Sequence, residues 1–279
     1  MKKAKRAFGL VIVFALMICG LMGAAVPAFQ AHAAESESVT HYKMQDEICL
    51  GTSTENIYYS YRTIEEYTIN PKLPAYISAL GCGNAAGINI VAWYSRNLTN
   101  LIPGFNAGQN FLGTWLWSMS NNYTTTMSNQ LYTDMGAFQN GAQHLVSING
   151  YLNGLNAYST RQGYNFTKSK VKGSGGALLN PSYKTALQNG QLMTIFTNGF
   201  NMNAKVTSYS GYDHVTMEEY AGAHIMAVYG YKEYSYYNVQ NQLIQKDIYL
   251  MMYTGWGTQL SMIKLTSCTL DDAYITHIS

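Results

Sequence analysis

Residues 81–94, GCGNAAGINIVAWY, set a cysteine between two glycines at the head of a run that is apolar almost all round. From Ala85 to Tyr94 the only strongly polar side chain is Asn89; Ala85, Ile88 and Ala92 share one helical face, while Ile90, Val91 and Tyr94 lie on others. A helix without a polar face has to be covered on several sides, so the chain must build layers around a short buried helix. Cys82 falls at its N-terminus, where unpaired N–H groups and the helix dipole favour the thiolate, the nucleophilic form of cysteine. Gly81 and Gly83 leave room for a substrate backbone to approach the sulfur. The same pattern also suits a structural cysteine on a core helix, since free Cys is among the most buried residue types.

The elements around this stretch change character along the chain. Ile57 to Tyr61 suits a strand, and Pro71 and Pro74 bracket a loop entering the helix. Ser128 to Met135 and Gln143 to Tyr158 have helical spacing, the latter through Leu145, Ile148, Leu152 and Leu155. His144 is expected on that second helix as an exposed or capping residue. Pro181 to Asn189 is a further helix, and Asn189-Gly190 a turn. Strands are expected at Leu192 to Thr197, Ala223 to Tyr231, Asp247 to Tyr253 and Ser261 to Leu265, with a polar hairpin or loop at Tyr234 to Gln245. Helices first and strands afterwards imply an α+β domain with a mostly antiparallel sheet, placed at residues 57–279 as one unit. Lys168 to Gly176 lacks the P-loop pattern, so its glycines do not mean phosphate.

The N-terminus has the three parts of an export signal. Lys2, Lys3, Lys5 and Arg6 precede an uncharged apolar run from Phe8 to Val26, and Ala31-His32-Ala33 is an A-x-A cleavage site. Residues 1–33 are therefore expected to be removed, residues 34–56 to form a flexible leader or short pro-segment, and the product to be secreted from a bacterial cell with no membrane attachment. The whole chain carries 17 Lys+Arg and 15 Asp+Glu. Four of the bases and none of the acids lie in the signal, leaving 13 against 15, or −2. With no basic patch there is no case for nucleic acid. Cys49, Cys82 and Cys268 remain after the signal, an odd number in an exported chain; Cys49 and Cys268 are a possible pair that would leave Cys82 free. No Cys/His cluster has zinc spacing, and no metal or other cofactor is expected.

Two further pieces stand in a telling order. His224 opens the apolar strand ending Val228-Tyr229-Gly230-Tyr231, and Thr254-Gly255-Trp256-Gly257 ends the next long strand. A cysteine on a buried helix, a much later histidine on a strand and then Gly-Trp-Gly resembles the papain-like cysteine peptidases, and within them the bacteriocin-leader (double-glycine) peptidases and streptopain. The resemblance covers about residues 75 to 265. It implies a papain-like α+β fold and a peptide or protein substrate. It makes Cys82 the nucleophile, His224 the general base and acid, and a thioester the intermediate.

The resemblance also implies where this chain departs from the family. Tyr76 stands where a glutamine usually supports the oxyanion, and Asn84 where the leader-peptidase branch has proline. Thr254 stands where an asparagine orients the histidine, its hydroxyl being the expected acceptor, and Trp256 is expected to shield that bond. Two alternatives remain open: a cell-wall amidase or endopeptidase resembling the NlpC/P60 group, and a catalytically impaired member that binds peptide or glycan at the cell surface.

Overall fold

The computed structural model describes residues 42–49, 54–118, 121–174, 179–209, 212–256 and 261–279. The expected export signal and cleavage site lie outside the described residues. In chain order the first strands are β1 (Tyr42–Cys49), β2 (Thr54–Tyr59) and β3 (Tyr61–Thr68), followed by helix α1 (Cys82–Ser95). Next come the hairpin β4 (Gly108–Phe111) and β5 (Thr114–Trp117), helix α2 (Asn121–Asp134), the hairpin β6 (Phe138–Asn140) and β7 (Gln143–Leu145), and helix α3 (Ile148–Arg161). The remainder is β8 (Phe166–Lys170), α4 (Ser182–Gln188), β9 (Leu192–Tyr209), β10 (Tyr212–Tyr237), β11 (Leu243–Tyr253), β12 (Ser261–Lys264) and β13 (Leu270–Ile278).

The architecture is α+β, with four helices among the described residues and a nine-stranded sheet ordered β2-β1-β10-β11-β12-β9-β13-β8, to which β3 adds by pairing with β10. Every described pairing is antiparallel except β1 with β10. The 26-residue β10 organises it. Its first half pairs with β9 and β1, and its second half with β11 and β3.

Helix α1 is buried from Gly83 to Tyr94, as a helix apolar on all faces requires. Its few polar groups are spent on fixing it in place. Tyr94 donates from its hydroxyl to the Thr276 carbonyl (2.8 Å) and accepts from the Leu192 N–H (3.3 Å), tying the helix to β13 and β9. The indole N–H of Trp93 donates to the Pro71 carbonyl (2.8 Å). The Asn89 amide accepts from the Tyr76 N–H and donates to the Tyr76 carbonyl, both at 2.8 Å, so one side chain clasps the entering loop as a strand neighbour would.

The helices meet at Met135. A Cβ on Gly87 of α1 would lie 2.7 Å from the Met135 methyl, and one on Gly154 of α3 would lie 2.7 Å from the Met135 Cα. Side-chain-free positions on two helices thus let the end of α2 sit between them.

Several expectations are corrected. Part of the 34–56 leader is structured: β1 and the start of β2 are strands, because the long β10 offers a free ladder of main-chain groups that the polar segment pairs with. The helix expected from Gln143 begins at Ile148, since Ser147 caps it by accepting the Gly150 N–H at 3.0 Å, and His144 stands on β7 instead. The loop at Lys168 starts as strand β8, paired with β13. The pairing of Cys49 with Cys268 is not formed: Cys268 is a free thiol buried in the core, and burial raises its pKa to about 12.

Candidate active site

Three segments far apart in sequence converge at the N-terminus of α1. The first is Gly81-Cys82-Gly83. Gly81 precedes the helix with φ 92°, a conformation that favours glycine, and the first helical bond runs from the Ala85 N–H to the Gly81 carbonyl at 3.0 Å. The N–H groups of Cys82, Gly83 and Asn84 precede that bond, so they begin the helix without partners inside it.

The second segment is the start of the His224 run in β10. The Ile225 N–H is close enough to the Cys82 sulfur to oppose the rise of its pKa, which sets the residue after His224 beside the thiol. A Cβ on Gly83 would lie 3.1 Å from the Ile225 Cδ1 and 2.5 Å from the Val146 Cγ1, and one on Gly81 would lie 2.9 Å from the His144 Cβ. The two glycines therefore serve packing within the chain, not the approach of a substrate, and the β7 segment lies over the head of α1.

The third segment is the turn after β11. His224 Nε2 lies 2.7 Å from the main-chain oxygen of Thr254. A carbonyl can only accept, so the Nε2–H donates, and in the neutral ring the lone pair is on Nδ1. Gly255 has φ 82°, and a Cβ there would lie 2.9 Å from the Ala85 Cβ. The turn is seated on the first turn of α1, and it joins the histidine's anchor to the cysteine's helix.

Each expected site residue has a definite place. The segments that carry Cys82, His224 and Thr254 are brought together, with His224 bonded directly to Thr254. Thr254 acts through its backbone: its hydroxyl does not reach the ring but accepts the Trp256 N–H at 3.3 Å, shaping the Gly255 turn. Trp256 covers the histidine, with ring centroids 4.3 Å apart, while remaining 54% exposed. Tyr76 does not take the oxyanion position. Its hydroxyl donates to the Ser118 carbonyl at 2.5 Å, and its backbone is held by Asn89, about 10 Å along the helix from Cys82 at 1.5 Å per residue.

Other neighbours were not evident from sequence. Phe200 stacks on His224 at 5.7 Å and Tyr220 packs on Trp256 at 4.8 Å; only the β9–β10 register, which pairs Tyr220 with Phe200, brings them there. Asn84 is buried and fixes the approach to Cys82. Its side-chain oxygen accepts from Ser78 (2.7 Å) and Ser128 (2.5 Å), and its amide donates to the Ser128 carbonyl (2.8 Å). A cavity of about 570 Å³ opens beside this cluster, lined by Pro74 to Leu80, Ile88 and residues of α2.

Burial sets the protonation of the pair. It pushes the Cys82 thiol up, against the opposing pull of the Ile225 and Gly83 N–H groups, so the helix N-terminus does not prevail in favour of the thiolate. Burial likewise lowers the His224 pKa, against the support of the Thr254 carbonyl. Both groups are then neutral near pH 7. Such a site can move a proton from sulfur to imidazole as the sulfur attacks an electrophile. No protein-family model, curated protein or solved structure matches the chain.

Proposed function

We propose that this chain is an exported cysteine peptidase of the papain-like kind. The observation that carries the reading is the Nε2–H bond of His224 to the Thr254 carbonyl, with the N–H of the next residue, Ile225, near the Cys82 sulfur. That arrangement supports Nδ1 as the base for the thiol. The carbonyl can do for the ring what a side-chain amide does in the family the sequence resembles, so threonine at that position is compatible with the reading.

In this mechanism His224 Nδ1 takes the Cys82 proton as the sulfur adds to the scissile carbonyl carbon. The oxyanion is met by the N–H groups at the head of α1, which have no acceptors within the helix. His224 then gives the proton to the departing amine, leaving a thioester on Cys82. Water, deprotonated by Nδ1, adds to the thioester and releases the acid, and the proton returns to sulfur. Phe200, Tyr220 and Trp256 limit water around the imidazole, and the exposed face of Trp256 offers apolar contact to a peptide.

A second reading, a binding module that has lost activity, is favoured by the raised thiol pKa and by the commitment of Tyr76 to Ser118. Incubation of the mature chain with a mixture of defined peptides, followed by mass spectrometry, separates the two. New termini produced by the parent and absent with Cys82→Ala support the peptidase; an unchanged mixture from both supports the binding module.

A further inference from the structure

At the opposite end of α1 from Cys82, a pocket holds a cation without a carboxylate and two N–H groups without acceptors among the described residues. Arg96 follows the last turn of the helix. Its guanidinium lies over the Trp93 ring, 4.0 Å from the centroid, and its Nη1 donates to the Asn70 carbonyl at 3.4 Å. Its Nε is buried and has no hydrogen-bond partner. None of the described ion pairs includes it. On the facing β4–β5 hairpin the indole Nε1 of Trp115 is likewise buried and unpartnered, whereas Trp117 two residues on donates to the Lys72 carbonyl at 3.1 Å.

Arg96 and Trp115 line one pocket of about 280 Å³ together with Asn97 and Asn110. The Asn110 side-chain oxygen accepts the Gly113 N–H at 3.0 Å, which leaves its NH₂ as the remaining polar end. Arg96 Nε, the Trp115 N–H and the Asn110 NH₂ are thus donors, while the side-chain amides of Asn70 and Asn97, which also line the pocket, can both donate and accept. Stacking on Trp93 and the helix C-terminus explain why a guanidinium is tolerated at this place. They do not satisfy Nε or the Trp115 N–H, and buried donors left without acceptors are costly. A carboxylate is a planar, acceptor-only group that suits the arginine fork and an added N–H.

We propose that Arg96, Trp115 and Asn110 form a binding subsite for the carboxylate of a peptide. The peptide character of the ligand rests on the peptidase reading; the carboxylate does not. Trp115 also lines the adjoining pocket of about 490 Å³, which reaches Trp117 and Tyr253, the residue before Thr254. The subsite and Cys82 are separated by the length of α1, about 20 Å at 1.5 Å per residue. An extended peptide covers that in about six residues, so the subsite would select an acidic group well removed from the bond being cut.

The test is binding alone, read at the Trp115 indole N–H by nitrogen-15 correlation NMR of the intact mature protein. Four probes are titrated: acetyl-Gly₄ as free acid and as amide, and acetyl-Gly₃-Glu-amide with its Gln counterpart. The expected result is saturable displacement of the Trp115 signal by one or both acids and by neither neutral partner. The pair that binds tells a terminal from a side-chain carboxylate. Arg96→Gln, which keeps much of the stem, should weaken binding about tenfold or more, and Trp115→Phe, followed through backbone signals, by about threefold or more. If Arg96→Gln fails to fold, Trp115→Phe carries the test. Equal response to acid and neutral probes, no response to any, or unchanged affinity in a folded variant would overturn the proposal. Because no step involves Cys82, the subsite can fail while the peptidase survives, and the reverse.

Discussion

His224 gives its Nε2–H to the main-chain carbonyl of Thr254 at 2.7 Å. A backbone acceptor has two consequences that a side-chain acceptor would not. It fixes the ring tautomer without depending on the identity of residue 254, and it makes the path of the Gly255 turn, rather than a functional group, the sensitive element.

Thr254→Val should therefore leave the rate of Cys82 modification by an electrophilic peptide within about threefold of the parent, the loss being the weak Trp256 N–H bond. Gly255→Ala should do more damage. It forces a side chain into φ 82° and to within 2.9 Å of Ala85, lifting the turn and the carbonyl from α1. A fall of about tenfold or more is expected, with the fold retained by circular dichroism.

Tyr76→Phe removes the bond to Ser118 and no contact with the reacting atoms. It should lower stability by about 0.5–1.5 kcal/mol in urea unfolding and leave the modification rate within about threefold. A fall of a hundredfold would mean that the hydroxyl does serve the oxyanion.

The pH dependence follows from two shifts of opposite sign. With the thiol pushed up and the imidazole pushed down, there is no preformed ion pair to give a rate plateau between pH 5 and 7. Modification by a simple alkylating agent should climb steadily through neutrality toward the raised thiol pKa, above the usual value of about 8.5. Stability moves with His224 as well. Its folded pKa is depressed, so the unfolded chain binds the proton first. The stability that the neutral ring contributes is complete above the unfolded value of about 6.5 and is lost as pH falls through the folded one. His224→Gln should flatten that acid limb in thermal melts recorded from pH 7 to 4.

Gly154→Ala tests the helix junction independently of the site. Its Cβ would fall 2.7 Å from the Met135 Cα and N, both main-chain atoms that cannot yield cheaply. A loss of about 1–3 kcal/mol is expected in urea unfolding.

How much of this was legible in the sequence differs from element to element. Helix α1 was, because a run from Ala85 to Tyr94 with one amide has no other way to be buried. The loop at Pro71 to Pro74 and the core strands around Leu192, His224 and Asp247 were also visible in their apolar runs. Strand β13 was not, because Asp271 and Asp272 disguise it; Asp272 is tolerated in a buried strand by Lys170 at 2.8 Å and the Tyr274 hydroxyl at 3.1 Å. Strand β1 has a polar sequence and is held by the ladder of β10. At the site, Cys82 and His224 could be picked by residue type and order. The anchor could not be read correctly, because a main-chain carbonyl has no letter in the sequence.

The central claim is that His224 activates Cys82. The most direct test is the second-order rate of Cys82 modification by a peptidyl vinyl sulfone near pH 7, located by peptide mapping and compared with the same cysteine in urea. The account predicts that the folded parent reacts at least about a hundredfold faster than the unfolded chain, that buried Cys268 stays unmodified, and that His224→Ala falls to the unfolded rate or below. A parent that reacts no faster than its unfolded chain, or a His224→Ala variant as fast as the parent, would contradict it.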